Sequence, residues 1–181
     1  LIHSDIRSSQ MINYFDENIN LISKLDKNIK NSLILRLHSR KYGWQEKQRF
    51  ISKLNEINID EGYENIFDLV NKSKLAVFSY NATGYLETLT ANIPTIIYFN
   101  LKQNPIRPNS MIFFEKLKKA KIFFDDISSA SMHINQIWSN IDSWWKNDLT
   151  QEARIQFCQN FAMDNKDKVT SLKKIFDEII K

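Results

Sequence analysis

The amino-acid sequence predicts a single α/β domain, a Rossmann-like three-layer α/β/α fold with a mostly parallel sheet of about five strands. The first observation is the order of apolar patterns, which reads as a helix, then β-α-β-α-β-α-β-α-β, then helices. The second is that the strand segments are short continuous apolar runs rather than alternating ones. Strands that helices cover on both faces have this composition, and they belong to parallel sheets.

The leading segment, residues 1–30, is predicted to hold an amphipathic helix over residues 5–27. Its apolar residues recur at helical spacing and define one buried face. The residues of this face are Ile12, Phe15, Ile19 and Ile22.

The α/β core is predicted to span residues 31–127. Its predicted strands cover residues 32–38, 57–60, 75–79, 95–99 and 122–124. Its predicted helices cover residues 44–55, 65–73, about 84–92 and 110–120. The inward-facing residues of the first two helices are expected to be Phe50, Ile51 and Leu54, and then Ile66, Phe67, Leu69 and Val70.

Residues 128–181 are predicted to form helices that pack on this core. The first begins at Ser128 and buries Ala130, Ile134, Ile137, Trp138 and Ile141. The second carries Ala153, Phe157 and Phe161, and the third carries Val169, Leu172, Phe176 and Ile179. We interpret Trp138, Trp144 and Trp145 as packing residues. The chain does not begin with Met, so we expect a piece of a longer protein, and the polar residues 1–10 lack a signal peptide's apolar region.

Composition excludes several classes of protein. The net charge of +4 comes from 25 basic and 21 acidic residues that are interleaved along the chain, so we expect no specific nucleic-acid binding. No apolar run approaches the ~20 residues that span a bilayer. The one cysteine, Cys158, rules out an internal disulfide, favours a reducing compartment and is expected to be structural. The three histidines His3, His38 and His133 are scattered, so we predict no metal site.

Candidate site residues follow from where ligands bind in this fold, at the carboxyl ends of the strands. The loop after the third strand is the most informative, because it passes from strand to helix through small and hydroxyl residues. Thr83 is placed to cap that helix or to bind an anion, and Gly84 permits close approach of a ligand. Glu87, one turn into the helix, is placed to accept hydrogen bonds from ribose hydroxyls. The alternative is an ordinary helix cap and a surface glutamate.

Other strand ends supply further candidates. Arg36 and His38 follow the first strand, and Lys102 and Arg107 follow the fourth. Arg36 has an alternative role as a structural partner of Asp60 or Glu61, and His38 has one as a structural histidine. Tyr42 and Trp44 either stack on a base or pack in the core. Neither a Walker A loop nor a Gly-x-Gly-x-x-Gly sequence is present, so ATPase and dehydrogenase interpretations lose support.

Residues 80–96, which read YNATGYLETLTANIPTI, resemble the donor-site motif of GT-B glycosyltransferases. They are more closely similar to a family of bacterial surface-carbohydrate transferases described as like spore-coat polysaccharide proteins. Related patterns occur in capsule and teichoic-acid transferases. Further family-like stretches are residues 35–44, 59–62, 106–108 and 137–154, so the resemblance covers roughly residues 10–162.

The resemblance implies the carboxyl-terminal, donor-binding lobe of a two-lobed enzyme. The partners it implies are a nucleotide-sugar donor, a glycan acceptor and an amino-terminal lobe of the same protein that supplies the general base. It implies no metal and no cofactor beyond the donor substrate, and a cytoplasmic location at the inner face of the membrane. The donor-binding residues it implies are Arg36, His38, Tyr80, Asn81, Thr83, Gly84, Glu87 and Arg107.

Four other functions stay open from the sequence. A polyol-phosphate transferase or a nucleotide-sugar epimerase would use the same fold and the same kind of donor. A binding module without catalysis is the third, and it would be indicated if the chain bound no nucleotide. Nucleic-acid binding is the fourth, and it would require a steep loss of affinity with added salt.

Overall fold

The computed structural model describes residues 8–40, 43–54 and 56–162. A 3-10 turn at Ser8–Gln10 leads into the helices and strands. The helices are α1 Met11–Ser23, α2 Lys27–Ser32, α3 Glu46–Lys53, α4 Ile66–Lys72, α5 Gly84–Thr90, α6 Pro108–Lys119, α7 Ile127–Ile137, α8 Ile141–Trp145 and α9 Asp148–Phe161. The strands are β1 Ile34–Arg36, β2 Asn58–Asp60, β3 Ala76–Phe78, β4 Thr95–Tyr98 and β5 Phe123–Phe124.

Every strand pair in the described part of the chain is parallel, which confirms the predicted α/β class. β1 pairs with β2, and β3, β4 and β5 form a second ladder in that order. Within the described residues the five predicted strands therefore form ladders of two and three strands rather than one sheet of five. β1 differs most from its prediction as a buried strand, since Ile34 is 51% exposed and the next two residues are half-buried. Every residue of β4 is buried.

One apolar core serves both ladders. Aromatic rings fill its centre, with Phe99 and Phe123 at a centroid distance of 4.9 Å and Phe114 and Phe157 at 5.1 Å. Leu37, beyond the end of β1, belongs to the same cluster of buried residues. The β1–β2 pair is therefore packed against the same core as the larger ladder.

The leading helix is shorter than predicted. α1 ends at Ser23, and a separate helix α2 follows at Lys27, so β1 begins at Ile34 rather than at residue 32. Phe15 and Ile22 are buried as predicted, but Ile12 is 64% exposed and that prediction is wrong. α1 packs against α3 and α7, and Ile12 lies on the part of the helix that neither neighbour covers.

The predicted inner faces of α3 and α4 are too wide. Phe50, Leu54 and Leu69 are buried, whereas Ile51 is 51% exposed and Phe67 is 56% exposed. Both helices are short, with eight and seven residues, and each buries one residue and leaves another apolar residue in solvent.

The carboxyl-terminal helices divide differently from their prediction. α7 ends at Ile137, and Ile141 begins α8, because the Asn140 side chain accepts a hydrogen bond from the Ser143 amide at 3.1 Å and caps a new helix. Trp144 and Trp145 are buried packing residues as predicted, and Trp138 is half-buried. The predicted helix with Val169, Leu172, Phe176 and Ile179 lies outside the described residues. Within the described ranges, none of the helices has both the length and the apolarity needed to cross a bilayer.

Candidate functional site

The candidate site is the carboxyl edge, which we define as the loops after β3 and β4, residues 79–83 and 99–107. α1 and the 3-10 turn before it lie across this edge and contact both loops. The Tyr14 hydroxyl is 3.1 Å from the Ser79 Oγ, and the Gln10 side chain donates to the Gln103 carbonyl at 3.3 Å. Because β3 and β4 are paired neighbours, α1 and this turn hold two adjacent strand-end loops side by side.

Tyr14 is a contributor to this edge that the sequence did not reveal. Its ring stands edge-on to Tyr80 at a centroid distance of 6.2 Å, and burial raises the pKa of its hydroxyl to about 12 although the Ser79 hydrogen bond lowers it. The phenol therefore stays protonated at neutral pH and fixes the β3 loop through its hydroxyl. Tyr14 is not among the residues of the predicted apolar face, and no sequence motif marks it as functional.

Three of the predicted site residues support the shape of the β3 loop. Tyr80 is half-buried beside Tyr14, and the Asn81 carboxamide accepts a hydrogen bond from the Tyr85 hydroxyl at 2.7 Å. A Cβ on Gly84 would lie 2.7 Å from a ring carbon of Phe78. The missing side chain of Gly84 thus lets α5 pack closely against β3, whereas the sequence assigned that space to a ligand.

The rest of the family-like motif also fixes α5 in place. The Thr95 hydroxyl donates to the Thr88 hydroxyl at 2.9 Å or to the Ile93 carbonyl at 2.8 Å, in a buried contact between β4 and α5. Arg154 on α9 donates to the Leu89 carbonyl at 2.8 Å, near the end of α5. These contacts hold α5 in a fixed position, and with it the side chains of its first turn.

Thr83 and Glu87 are the motif residues that remain uncommitted. Both are exposed, and neither side chain hydrogen-bonds to any residue in the described part of the chain. Thr83 occupies the N-cap position of α5, but its hydroxyl makes no capping hydrogen bond. The two residues are four apart, so they lie on the same side of the helix, at the end of β3.

The loop after β4 brings two exposed cations to the same edge. Lys102 and Arg107 are exposed, and neither forms an ion pair with a described residue. Arg107 precedes Pro108 at the start of α6, where its backbone is extended. Because the guanidinium is uncommitted, it is available to an anion at this edge.

Arg36 has the structural role that was the alternative to ligand binding. Its guanidinium pairs with the Asp60 carboxylate and donates to the Glu64 carbonyl at 2.9 Å. Asp60 is buried and also accepts from the Gly62 and Tyr63 amides, each at 3.2 Å. This network ties the end of β1 to the loop after β2.

His38 and Trp44 lie in the loop after β1. His38 is exposed, and its Nδ1 accepts from the Arg40 amide at 2.9 Å. Trp44 is half-buried against the core, which fits its packing alternative. Tyr42 lies outside the described residues. The structure therefore groups Tyr80, Asn81, Thr83, Gly84 and Glu87 in one loop and helix, whereas His38 and Arg36 belong to the separate β1–β2 end.

Cys158 does not contribute to the carboxyl edge. It is half-buried on α9, and burial raises the pKa of its thiol. A raised thiol pKa disfavours the thiolate, which agrees with the predicted structural role.

The parallel α/β architecture is that of Rossmann-like domains, a class in which ligands bind at the carboxyl ends of the strands. The comparison with protein families goes one step further. Residues 2–176 match the model of the LIC12162 family transferases, and the chain belongs to that family. No curated protein and no solved structure shows a match.

Proposed function

We propose that the chain is the donor-binding domain of a glycosyltransferase that uses a nucleotide-sugar in the synthesis of a cell-surface polysaccharide. The observation that carries this proposal is the exposed, uncommitted pair Thr83 and Glu87 at the end of β3, in a chain of a transferase family. The resemblance of residues 80–96 to a donor-site motif supports it.

Glu87 is the proposed ribose-binding residue. Its carboxylate has two oxygens that accept hydrogen bonds, and the 2′- and 3′-hydroxyls of a ribose are a matching pair of donors. Its neighbours Thr88 and Leu89 are buried in the core, so the position of Glu87 is fixed by packing rather than by the ligand.

The donor phosphates are proposed to lie between Thr83 and the cations Lys102 and Arg107. During transfer, the bond between the sugar carbon and the phosphate oxygen breaks, and the acceptor oxygen forms the new bond to that carbon. Negative charge then grows on the departing phosphate, and charge-assisted hydrogen bonds stabilise it. α5 has only seven residues, so the cations supply most of this stabilisation rather than the helix dipole.

The remaining parts of the proposal concern partners. The acceptor hydroxyl must lose a proton to a base, and we propose that an amino-terminal lobe of the same protein supplies it, as the GT-B resemblance implies. The same resemblance supports a reaction without a metal ion, at the inner face of the membrane. His38, in the loop after β1, is proposed to bound the base-binding side of the site, and Arg36 is proposed to support that loop through its ion pair with Asp60.

A screen of nucleotides tests the proposal. Calorimetric titration of the chain with UMP, UDP, CMP, CDP, GDP and TDP should give saturable binding of one nucleotide. Glu87→Gln should weaken that binding by about 1–3 kcal/mol, because it replaces one of two accepting oxygens and removes the charge. Glu115→Gln is the matched control, since Glu115 is an exposed glutamate on α6 and should leave the affinity unchanged.

Two outcomes would contradict the proposal: an equal response to every nucleotide, or no response at all. A polyol-phosphate transferase would use the same edge, so intact donors separate the alternatives. Transfer from nucleotide-sugars by the full enzyme supports the glycosyltransferase, whereas transfer only from nucleotide-activated polyols indicates the alternative.

A further inference from the structure

A cleft of about 490 Å3 opens on the molecule away from the carboxyl edge. The end of α6, the second half of α7 and the beginnings of α8 and α9 form its walls. The residues Lys119–Lys121, which line it, come just before β5. The cleft therefore lies at the amino ends of the strands, whereas the carboxyl edge lies at their other ends.

Two buried polar side chains line this cleft without a partner. His133 is 5% exposed and Thr150 is 1% exposed. Neither ring nitrogen of His133, nor the Thr150 Oγ1, has a hydrogen-bond partner among the described residues. Buried polar groups are almost always hydrogen-bonded, because losing water without replacement is unfavourable. Both groups therefore need a partner that enters the cleft.

The His133 ring is held in place by aromatic neighbours. It lies 5.5 Å from the Phe124 ring and 5.1 Å from the Trp144 ring, measured between centroids. Trp144 is itself fixed, because its indole N–H donates to the Ala120 carbonyl at 3.0 Å. Burial, and then the charge of Lys121, lower the pKa of His133 to about 4. The ring is neutral at pH 7 and offers one donor and one acceptor.

The charged residues that line the cleft are positive and favour a negatively charged ligand. No aspartate or glutamate is among the lining residues, whereas Lys119 and Lys121 are. Neither of these ammonium groups is paired with a described residue. The neighbouring Lys116 and Lys118 contrast with them, because they bond to Gln156 at 2.6 Å and to Asp125 at 2.7 Å.

The first turn of α9 adds hydrogen-bond donors. Asn147 caps this 14-residue helix by accepting from the Thr150 amide at 2.8 Å, and both residues line the cleft. The first N–H groups of a helix have no acceptor within it, and they carry a partial positive charge.

We propose that this cleft binds a small phosphate monoester, with Lys119 and Lys121 on the phosphate and with His133 and Thr150 on hydroxyl groups of the remainder. Two ammonium groups match the charge of about −1.5 to −2 of a phosphate monoester. The volume lies within the ~300–1,000 Å3 of small-molecule sites. Water could also hydrogen-bond to His133 and Thr150. The unpaired ammonium groups of Lys119 and Lys121 are the feature that favours an anion.

Titration of the histidine-labelled 181-residue chain tests this site by NMR. Inorganic phosphate and sn-glycerol 3-phosphate are the probes, at constant ionic strength and neutral pH. We expect saturable shifts of the His133 ring signals, with the ester binding more tightly because its hydroxyls reach the buried groups. Lys121→Gln should weaken binding about tenfold, through the loss of one charge-assisted contact.

Lys116→Gln is the matched control, because it removes the same charge from α6 at a position outside the cleft. It should leave the affinity for both probes unchanged. Thr150→Val should abolish the advantage of the ester over inorganic phosphate without unfolding the chain, and the amide spectrum reports the fold. The proposal is overturned if the His133 signals do not saturate, if Lys116→Gln and Lys121→Gln weaken binding equally, or if inorganic phosphate binds as tightly as the ester.

Discussion

Polar side chains without hydrogen-bond partners among the described residues lie at both ends of the parallel strands. They are exposed to water at the carboxyl ends and buried at the amino ends. At the carboxyl edge Thr83 and Glu87 are exposed, whereas in the cleft at the other end His133 and Thr150 are buried. An exposed group keeps its hydrogen bonds to water, so its lack of a protein partner costs nothing. A buried group loses them, at about 1–3 kcal/mol. Residues at the first end should affect binding alone, and residues at the second should affect both binding and stability.

The largest expected effect is the pH dependence of stability that His133 causes. The pKa of His133 is about 4 in the folded chain, below the 6.5 of a solvated histidine side chain, so the unfolded chain binds more protons between these pH values. Stability is therefore unaffected by this group above pH 6.5 and falls as the pH drops towards 4. The loss approaches about 3 kcal/mol.

Urea unfolding of the chain and of His133→Phe at several pH values measures this effect. The variant keeps an aromatic ring between Phe124 and Trp144 and removes the titrating group. The difference in stability between the two proteins should grow from pH 6.5 to pH 4. A constant difference over this range would contradict the lowered pKa, because it would show that the folded chain protonates His133 as readily as the unfolded chain does.

The second largest effect is expected at Arg36. This residue also lies at the carboxyl end of a strand, but its side chain is already paired with Asp60. Arg36→Ala leaves the buried carboxylate of Asp60 without its guanidinium partner. We expect a loss of about 2 kcal/mol, below the value for a fully buried pair because the Arg36 side chain is 28% exposed.

Lys47→Ala is the control for Arg36→Ala in the same unfolding experiment. It removes the pair between Lys47 and Glu61, whose side chains are 42% and 25% exposed, and it should cost at most about 1 kcal/mol. Equal losses in the two variants would refute the structural role of Arg36 and return it to the candidate ligand-binding residues.

The comparison also shows which features the sequence could predict. The parallel α/β class followed from continuous apolar runs such as Thr95–Tyr98, because burial on both faces leaves that pattern directly in the sequence. The sequence did not predict that Arg36 lies apart from the β3 loop, because that depends on which strands pair with one another. The committed roles of Gly84 and Asn81 depend on contacts with Phe78 and Tyr85 that spacing alone does not specify.

The cleft was not predicted because its walls come together only in the fold. His133 reads in the sequence as one more residue near the apolar face of α7, and Lys119 and Lys121 read as part of a solvated basic run. Whether the buried His133 ring has a hydrogen-bond partner depends on β5, which precedes α7, and on α8 and α9, which follow it. Hydrophobic periodicity carries no information on that point.

The smallest expected effects come from making one substitution at both ends, Thr83→Val and Thr150→Val. The change replaces a hydroxyl by a methyl group of similar shape, so it isolates the contribution of the hydroxyl. At Thr150 it removes a buried, unpartnered group, and the chain should become more stable by about 1 kcal/mol. At Thr83 it removes an exposed hydroxyl that caps nothing, and stability should stay within about 0.5 kcal/mol.

Thermal unfolding of the two variants beside the parent chain measures both changes under one set of conditions. A loss of about 1 kcal/mol in Thr83→Val is the value expected for removing an N-cap. It would mean that Thr83 serves α5 rather than a ligand, and the contrast between the two ends would disappear. A loss of stability in Thr150→Val would mean that the Thr150 hydroxyl has a permanent partner in the folded chain, and it would then not be free to bind a ligand in the cleft.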